Sequence, residues 1–296
     1  MKHPCFCLRT GTMIFKKLFS VLFLSVGFVA FGNIWGQIGM SEIKGARNKG
    51  LGDVGVALGG LEGYIYNSSA LGQLRKSSIL LNAENRFQGT GIRGYSLGAA
   101  LPVGKNGCFG GTIEHYGLPE YHQRHYRTGF GLALTQKVSI GTSFGVKTYS
   151  IAAYPPGLSL NIDLGLTYHI TDLITLGWSG FQPFYNSNNT IPETPVHIFG
   201  VKYKASEPIR LSIQFEKEKK LNWVIKYAME YWVVPQFGVR IGLARGATVL
   251  NAGFGLKVNP QLFIDGAFSI HSALGITPAL SLHYQFKPNQ DPEEKL

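Results

Sequence analysis

The feature that most constrains the fold is an alternation of apolar and polar residues that recurs along most of the chain. In residues 209–216, isoleucine, leucine and phenylalanine at the odd positions alternate with polar residues at the even positions. The same period of two runs through residues 221–231 and 249–258. Successive side chains of a β-strand point to opposite faces, so this pattern predicts strands with one apolar face.

Turn signals divide the alternating region into fourteen predicted strands, and the predicted fold class is all-β. A strand that crosses a bilayer needs about 9–11 residues, whereas a strand of a soluble protein has about 5–6. Most of the predicted strands reach the longer length, which favours a transmembrane barrel over a soluble β-sandwich. They are residues 79–87, 91–102, 107–117, 126–135, 138–150, 158–170, 173–181, 197–205, 208–217, 220–232, 236–245, 249–258, 261–270 and 276–286.

The predicted connections alternate in length along the chain. The even-numbered ones, such as Thr171-Asp172, are brief, and the odd-numbered ones include the long loops Leu118–His125 and Gln182–Val196. Barrels of the outer membrane have short periplasmic turns and longer outer loops. The sequence therefore predicts an antiparallel transmembrane β-barrel of about fourteen strands with both ends in the periplasm.

The N-terminal residues resemble a secretory signal peptide. Lys16 and Lys17 precede the apolar run 18–31, which is too short for a comfortable membrane-spanning helix. We expect cleavage after Gly36, with Gly32 as the alternative site, and Met13 is an alternative start. The predicted division is a signal peptide at 1–36, a segment inside the lumen at 37–75, a barrel at 76–286 and a polar periplasmic tail at 287–296. The expected location is the outer membrane of a Gram-negative bacterium.

Composition agrees with this class and argues against several others. Charged residues make up only 15% of the chain, with 38 glycines and 12% aromatic residues, which suits strands with one face in lipid. Cys108 is the single cysteine that follows the signal peptide, so no disulfide framework is expected. The basic residues are scattered, and no nucleic-acid partner is expected for an exported chain.

Gly50, Gly52 and Gly55 have the G-x-G-x-x-G spacing of a dinucleotide-binding turn. That motif needs a buried strand before it and a helix after it. Residues 44–49 are polar, and Gly59-Gly60 would break the helix, so no cofactor is expected. The glycines instead predict close packing of a plug against the barrel wall.

A barrel of this size is too wide for its own side chains to fill, so it must conduct or be plugged. Residues 37–75 are the segment left for a plug, and Arg47, Asp53 and Asn67 belong to it. Because the outer face must be apolar, the polar face of each strand should line the lumen. The charged residues predicted to face the lumen are Asp163, Arg210, Lys226, Glu230, Arg240 and Asp265. We expect Arg47 and Asp53 to contact charges among them.

Two groups of residues are candidates for chemical sites. His115, His122 and His125 cluster near a predicted outer loop, but a solvated loop tip is a better interpretation than a metal site. His271-Ser272 is the one adjacent His-Ser pair at a loop, and a loop cap is favoured over a catalytic pair. The G-x-S-x-G elbow is absent. Neither a metal nor an enzymatic activity is therefore expected.

The N-terminal segment resembles the PorV/PorQ branch of the FadL-like outer-membrane barrels. The family pattern G-A-R-x-x-G-M-G is similar to residues 45–52, its V-A-L is at 56–58, and its aromatic-Asn element is at Tyr66-Asn67. The closing hairpin, residues 265–286 with His271-Ser272, is also similar. The resemblance implies a role in type IX secretion, with translocon components or cargo proteins as partners. The alternative is FadL-like passage of hydrophobic small molecules through the membrane.

Overall fold

The computed structural model describes residues 43–186, 194–219, 221–244 and 249–287. Within these residues, fourteen antiparallel strands form a closed barrel in which each strand pairs with its chain neighbours and β1 pairs with β14. The predicted fold class is confirmed. The strands are β1 (Ser78–Asn85), β2 (Arg93–Val103), β3 (Gly107–Leu118), β4 (Tyr121–Ala133), β5 (Val138–Ile151), β6 (Gly157–His169), β7 (Ile174–Asn186), β8 (Val196–Lys204), β9 (Ile209–Glu218), β10 (Val224–Val234), β11 (Phe237–Ala244), β12 (Val249–Lys257), β13 (Leu262–His271) and β14 (Gly275–Gln285).

The outer face of the wall is apolar and the inner face is polar, as a bilayer requires. Outward side chains such as Leu97 and Ile113 are large, apolar and exposed, whereas inward side chains such as Ser143 and Gln214 are polar and buried. A soluble protein would have the opposite arrangement. An apolar outer face and a polar interior define a membrane-spanning barrel.

Both ends of the barrel sequence lie at the same end of the molecule. Ser78 pairs with Gln285, and this end is called the terminal end. The opposite end carries the β1–β2 connection and is called the loop end. Because short turns and chain termini are typical of the periplasmic side, we expect the loop end to face outward.

Residues 43–75 fold inside the barrel and are called the plug. The plug contains helix α1 (Ala46–Gly50), helix α2 (Gly60–Tyr64) and a 3-10 helix, η1 (Ser68–Gln73). Among the described residues, none of the helices has the length and apolar character needed to cross a membrane. The predicted signal peptide, residues 37–42 of the predicted plug and residues 288–296 of the predicted tail lie outside the described residues.

Apolar plug side chains provide most of the buried core. Leu61, Tyr64 and Leu71 are completely inaccessible to solvent. Burying such a side chain contributes about 1.5–3 kcal/mol each. Leu71 lies against Gly110 of β3, where a wall side chain would overlap it. Small inward residues in the wall therefore make room for large residues of the plug.

The hairpin between β3 and β4 differs from its prediction. Residues 118–125 were expected to be a long outer loop, but the connection is the turn Pro119-Glu120 and β4 begins at Tyr121. Its polar residues pair in register with β3, as Gln123 does with Tyr116. The prediction was wrong because backbone pairing continues past the apolar zone, where alternating hydrophobicity no longer marks a strand. For the same reason β7 extends to Asn186 instead of ending at residue 181.

Candidate functional site

The glycines of the G-x-G-x-x-G stretch lie where the plug touches the wall or itself. A Cβ atom on Gly50 would lie 3.1 Å from the Cα of Gly253, and one on Gly52 would lie 3.0 Å from the Cα of Gly242. A Cβ on Gly55 would overlap the ring of Tyr66 in the plug. Gly52 also has φ of 67°, a conformation that favours glycine. The contacts of Gly50 and Gly52 are therefore backbone against backbone, and that of Gly55 is backbone against an aromatic ring.

An ion-pair network joins helix α1 to the wall at the terminal side of the plug. Arg47 Nε lies 3.4 Å from Glu230 Oε1 of β10. Arg240 of β11 binds two carboxylates, Glu230 at 2.8 Å through Nε and Asp265 of β13 at 2.6 Å through a terminal guanidinium nitrogen. Arg210 of β9 also contacts the Glu230 carboxylate, at 3.3 Å. The Glu230 carboxylate raises the pKa of Arg47 above its usual range. Two buried carboxylates are thus compensated by three guanidinium groups.

Helix α2 has its own ion pair with the wall. Glu62 Oε1 lies 2.8 Å from His283 Nδ1 of β14, and both side chains are buried. Burial opposes ionisation of Glu62, but the charges of His283 and Arg47 outweigh burial and lower its pKa to about 2. The carboxylate therefore stays ionised in the lumen, and the pair holds α2 against the last strand.

A third set of charges lies on the loop side of the plug. Lys49 of α1 contacts Glu84 of β1 at 3.3 Å, and Arg86 contacts the same carboxylate at 2.7 Å. Lys226 of β10 contacts Glu216 of β9 at 2.7 Å. Asp53 lies nearby, where burial opposes ionisation but Lys49 and Lys226 lower its pKa. The charges on this side are compensated by one another.

Gln214 of β9 binds the plug backbone beside Asp53. Its Oε1 accepts hydrogen bonds from the N–H groups of Gly55 at 2.8 Å and Val56 at 3.0 Å. Its Nε2 donates to the carbonyl of Asp53 at 3.1 Å. Irregular backbone inside a barrel needs such partners, because a buried amide without one costs about 1–3 kcal/mol. Gln214 therefore holds this plug turn in place.

Asn67 has an equivalent role, and it also binds Val56. Its Oδ1 accepts a hydrogen bond from the N–H of Ser69 at 3.1 Å, which caps η1. Its Nδ2 donates to the carbonyl of Val56 at 2.8 Å and to that of Leu166 in β6 at 3.1 Å. Arg127 of β4 completes the attachment by donating to the carbonyl of Ile65 at 2.9 Å.

The structure places the predicted lumen charges as follows. Asp163 lies in β6 and contacts Arg127 at 2.8 Å, while Arg210 is partly exposed at the terminal end. The other four are buried and belong to the networks above; they are Lys226, Glu230, Arg240 and Asp265. Sequence reasoning missed Glu62, His283 and Gln214 as partners. The alternating pattern places His283 and Gln214 on polar strand faces. No local sequence pattern, however, identifies which residues of the plug and the wall meet.

Two cavities lie on opposite sides of the plug. The loop-end cavity has a volume of about 230 Å³ and the terminal-end cavity about 340 Å³. Helix α1 separates them, since Lys49 lines the first and Arg47 the second. The apolar part of the loop-end lining consists of Tyr66, Phe87, Val196, Ile198, Leu221 and Val224. Both linings also carry charged side chains, which at the terminal end include Glu62, Arg210, Arg240 and Asp265.

The three candidate metal-ligating histidines do not converge on one site. His115 and His122 lie on neighbouring strands with ring centroids 5.7 Å apart, whereas His125 is buried and faces the lumen. Their interpretation as a solvated loop was wrong, since all three belong to strands. Within the described ranges, no group of three or more His, Cys, Asp and Glu side chains could hold a metal ion.

His271 caps the β13–β14 turn. Its Nδ1 accepts hydrogen bonds from the N–H groups of Ala273 at 3.2 Å and Leu274 at 3.1 Å. Its ring also meets Phe87 edge-on at 6.0 Å and lines the loop-end cavity. Ser272 follows it in the turn. These two hydrogen bonds describe a turn cap, as the sequence favoured.

A closed fourteen-stranded wall, an apolar outer face and a hydrogen-bonded plug define the class of this protein, an outer-membrane β-barrel. No family model matches its sequence, and no curated protein matches it either.

Solved structures show which barrels it is similar to. The toluene transporter TbuX of Ralstonia pickettii has a TM-score of 0.60 and 12% identity, covering 84% of this chain and 100% of that one. A Pseudomonas aeruginosa FadL homologue has a TM-score of 0.61 and 11% identity, covering 84% and 99%. The toluene transporter TodX of P. putida has a TM-score of 0.64 and 10% identity, covering 83% and 99%. The fold is therefore FadL-like, as the sequence resemblance implied.

Proposed function

We propose that this protein passes small hydrophobic molecules through the outer membrane. The observation that carries the proposal is the loop-end cavity, which is bounded by the plug on one side and carries an apolar patch of Val196, Ile198, Leu221 and Val224 on another. Its volume of about 230 Å³ lies below the roughly 300–1,000 Å³ of pockets for drug-sized ligands. A small and mainly apolar molecule is the ligand that this space suits.

The charges around the cavity support an uncharged ligand. Lys226 is paired with Glu216, and Lys49 and Arg86 share Glu84. Because these groups compensate one another, the cavity does not need a charged ligand to balance it. The apolar residues, including Val196 and Ile198, provide the contact surface.

Passage requires the plug to move. Helix α1 and its ion pairs lie between the two cavities, so a molecule in the loop-end cavity has no straight path to the terminal end. The three similar structures are described as two toluene transporters and a FadL homologue, which supports a role in transport. We infer that the plug shifts as a unit against its polar contacts with the wall.

A pair of adjacent residues provides the test. Ile198 lines the cavity, whereas Phe199, the next residue in β8, is 45% exposed on the lipid face. Ile198→Trp should fill the cavity and reduce entry of a hydrophobic fluorescent probe into Gram-negative cells expressing the protein. Phe199→Trp should leave entry unchanged. Equal probe entry with Ile198→Trp, or entry no greater than in cells without the protein, would overturn the proposal.

A second proposal, a role in type IX secretion, is supported by the sequence resemblance of residues 45–72 to the PorV/PorQ proteins. Translocon components and cargo proteins would then be the partners. Deleting the gene should leave type IX cargo inside the cell, and normal secretion in the deletion strain would exclude this role. Uptake of the hydrophobic probe in the same strain separates the two proposals.

A further inference from the structure

A group of basic side chains lies on the outward face of the barrel near the loop end. It consists of Arg93 in β2, His115 in β3, and His122 and Arg124 in β4, and is called the outer-wall basic cluster. These positions alternate with inward ones. A Cβ on Gly94, for example, would overlap Ile43 of the plug, so the side chain of the preceding residue points to the lipid side.

The strand register brings the cluster together. Gly117 of β3 pairs with Arg93 on one side and His122 on the other, and His115 pairs with Arg124. Two adjacent rows of the wall therefore carry basic groups on one face, with the rings of His115 and His122 5.7 Å apart. Both arginines are exposed.

The two guanidinium groups lack a protein anion. Among the residues that the structure describes, neither Arg93 nor Arg124 forms a hydrogen bond or an ion pair. Glu120, at the exposed tip of the same hairpin, is the nearby carboxylate in the chain. Lumen arginines, by contrast, are paired with carboxylates, as Arg240 is with Glu230. The cluster thus presents uncompensated positive charge on the wall.

An apolar groove begins directly below the cluster. It has a volume of about 470 Å³, and His115 is part of its lining. Ala83, a small outward residue of β1, pairs with Tyr95. Because its side chain is short, Ala83 forms the bottom of the groove between larger neighbours. The other apolar lining residues are Leu81, Leu97, Ile113, Leu280 and Leu282. Such a groove fits a hydrocarbon chain lying along the wall.

The level of the cluster corresponds to lipid headgroups. The exposed tyrosines Tyr95 and Tyr126 lie in the same or the next row of the wall, where aromatic side chains mark the membrane interface. A lipid-facing arginine is strongly unfavourable at the bilayer centre and nearly neutral near the interface. Two unpaired arginines are therefore best accommodated beside anionic headgroups, which guanidinium binds with charge-assisted hydrogen bonds.

We propose that the outer-wall basic cluster and its groove bind a phosphorylated lipid of the outer leaflet. Arg93 and Arg124 bind the phosphate, His115 and His122 line its edge, and one acyl chain lies in the groove over Ala83. This site is on the outside of the wall and is independent of the route through the lumen.

The test measures binding of bis-phosphorylated lipid A to the purified full-length barrel in detergent, by native mass spectrometry. The double variant Arg93→Gln/Arg124→Gln should bind at least tenfold more weakly. Lys217→Gln is the matched control, since Lys217 is also at the loop end but donates to its own loop at the carbonyl of Leu221. Its binding should be unchanged. Each variant is verified as folded by the faster migration of its unheated sample on a gel, compared with a heated sample.

The groove is tested separately with Ala83→Trp, which fills its floor and leaves the arginines in place. This variant should bind lipid A more weakly than the wild type. Inorganic phosphate should displace little of the lipid A that is bound to the wild type. Equal affinity of the double variant and the wild type would overturn the proposal. Full displacement of the lipid by millimolar inorganic phosphate would also overturn it, because the site would then hold a free anion and not a lipid.

Discussion

Arg47 of helix α1 and Glu230 of strand β10 lie 3.4 Å apart, although 183 positions separate them in the chain. The contact joins the plug to the wall at the boundary between the two cavities. Because Glu230 also binds Arg240 and Arg210, it is the central acceptor of the network. The proposed movement of the plug would have to break this contact.

Glu230→Gln should destabilise the plugged state. The substitution leaves Arg47 and Arg240 without their shared carboxylate, and removal of one partner from a buried ion pair costs about 3–5 kcal/mol. The temperature at which the folded band converts to the unfolded band on a gel should fall clearly. Glu207→Gln is the control, because Glu207 is exposed in the β8–β9 turn and should have little effect. An equal fall in both variants would contradict the role of the network.

Gly52→Ala should displace the plug. The new Cβ would lie 3.0 Å from the backbone of Gly242, and φ of 67° adds strain of about 1–2 kcal/mol for a residue other than glycine. Entry of a polar chromogenic antibiotic into expressing cells should rise. Gly104→Ala is the matched control, since Gly104 has φ of 61° but open space around it. If neither variant increases antibiotic entry, the contact between Gly52 and Gly242 does not hold the plug in place.

The stability of the protein should depend on pH through Glu62. Its pKa is lowered from 4.5 to about 2, so its contribution is complete above pH 4.5 and is lost as the pH falls through about 2. The full contribution is on the order of 3 kcal/mol. Acid unfolding of the wild type should therefore converge with that of Glu62→Gln over this range, while the two differ at pH 6. Parallel curves down to pH 2 would exclude the effect.

Gln214→Leu should loosen the plug turn at residues 53–56. The N–H groups of Gly55 and Val56 would lose their acceptor, at a cost of about 1–3 kcal/mol for each buried group. Hydrogen exchange of these two amides should accelerate at least tenfold. Ser212→Ala, at another buried inward position of β9, is the control and should leave their exchange unchanged. Unaltered exchange in Gln214→Leu would contradict the attachment described above.

The sequence by itself determined the strands and the face of most charges. A period of two is a local property, so it assigns residues such as Asp163 and Glu230 to the polar face without any knowledge of strand pairing. It failed at residues 118–125, because outside the apolar zone a paired strand and a polar loop have the same composition. Length and alternation also indicated a membrane barrel, since few other environments require both.

The tertiary structure alone decided the contacts of the plug. Which wall residue meets Arg47, Glu62 or Gly55 depends on barrel closure and on the register of fourteen strands, which no local pattern encodes. The same closure places Arg93 and Arg124 on one outward surface, although the chain between them forms a complete strand and two turns. Contacts between distant segments depend on the register of every strand pair between them, so only the closed barrel determines them.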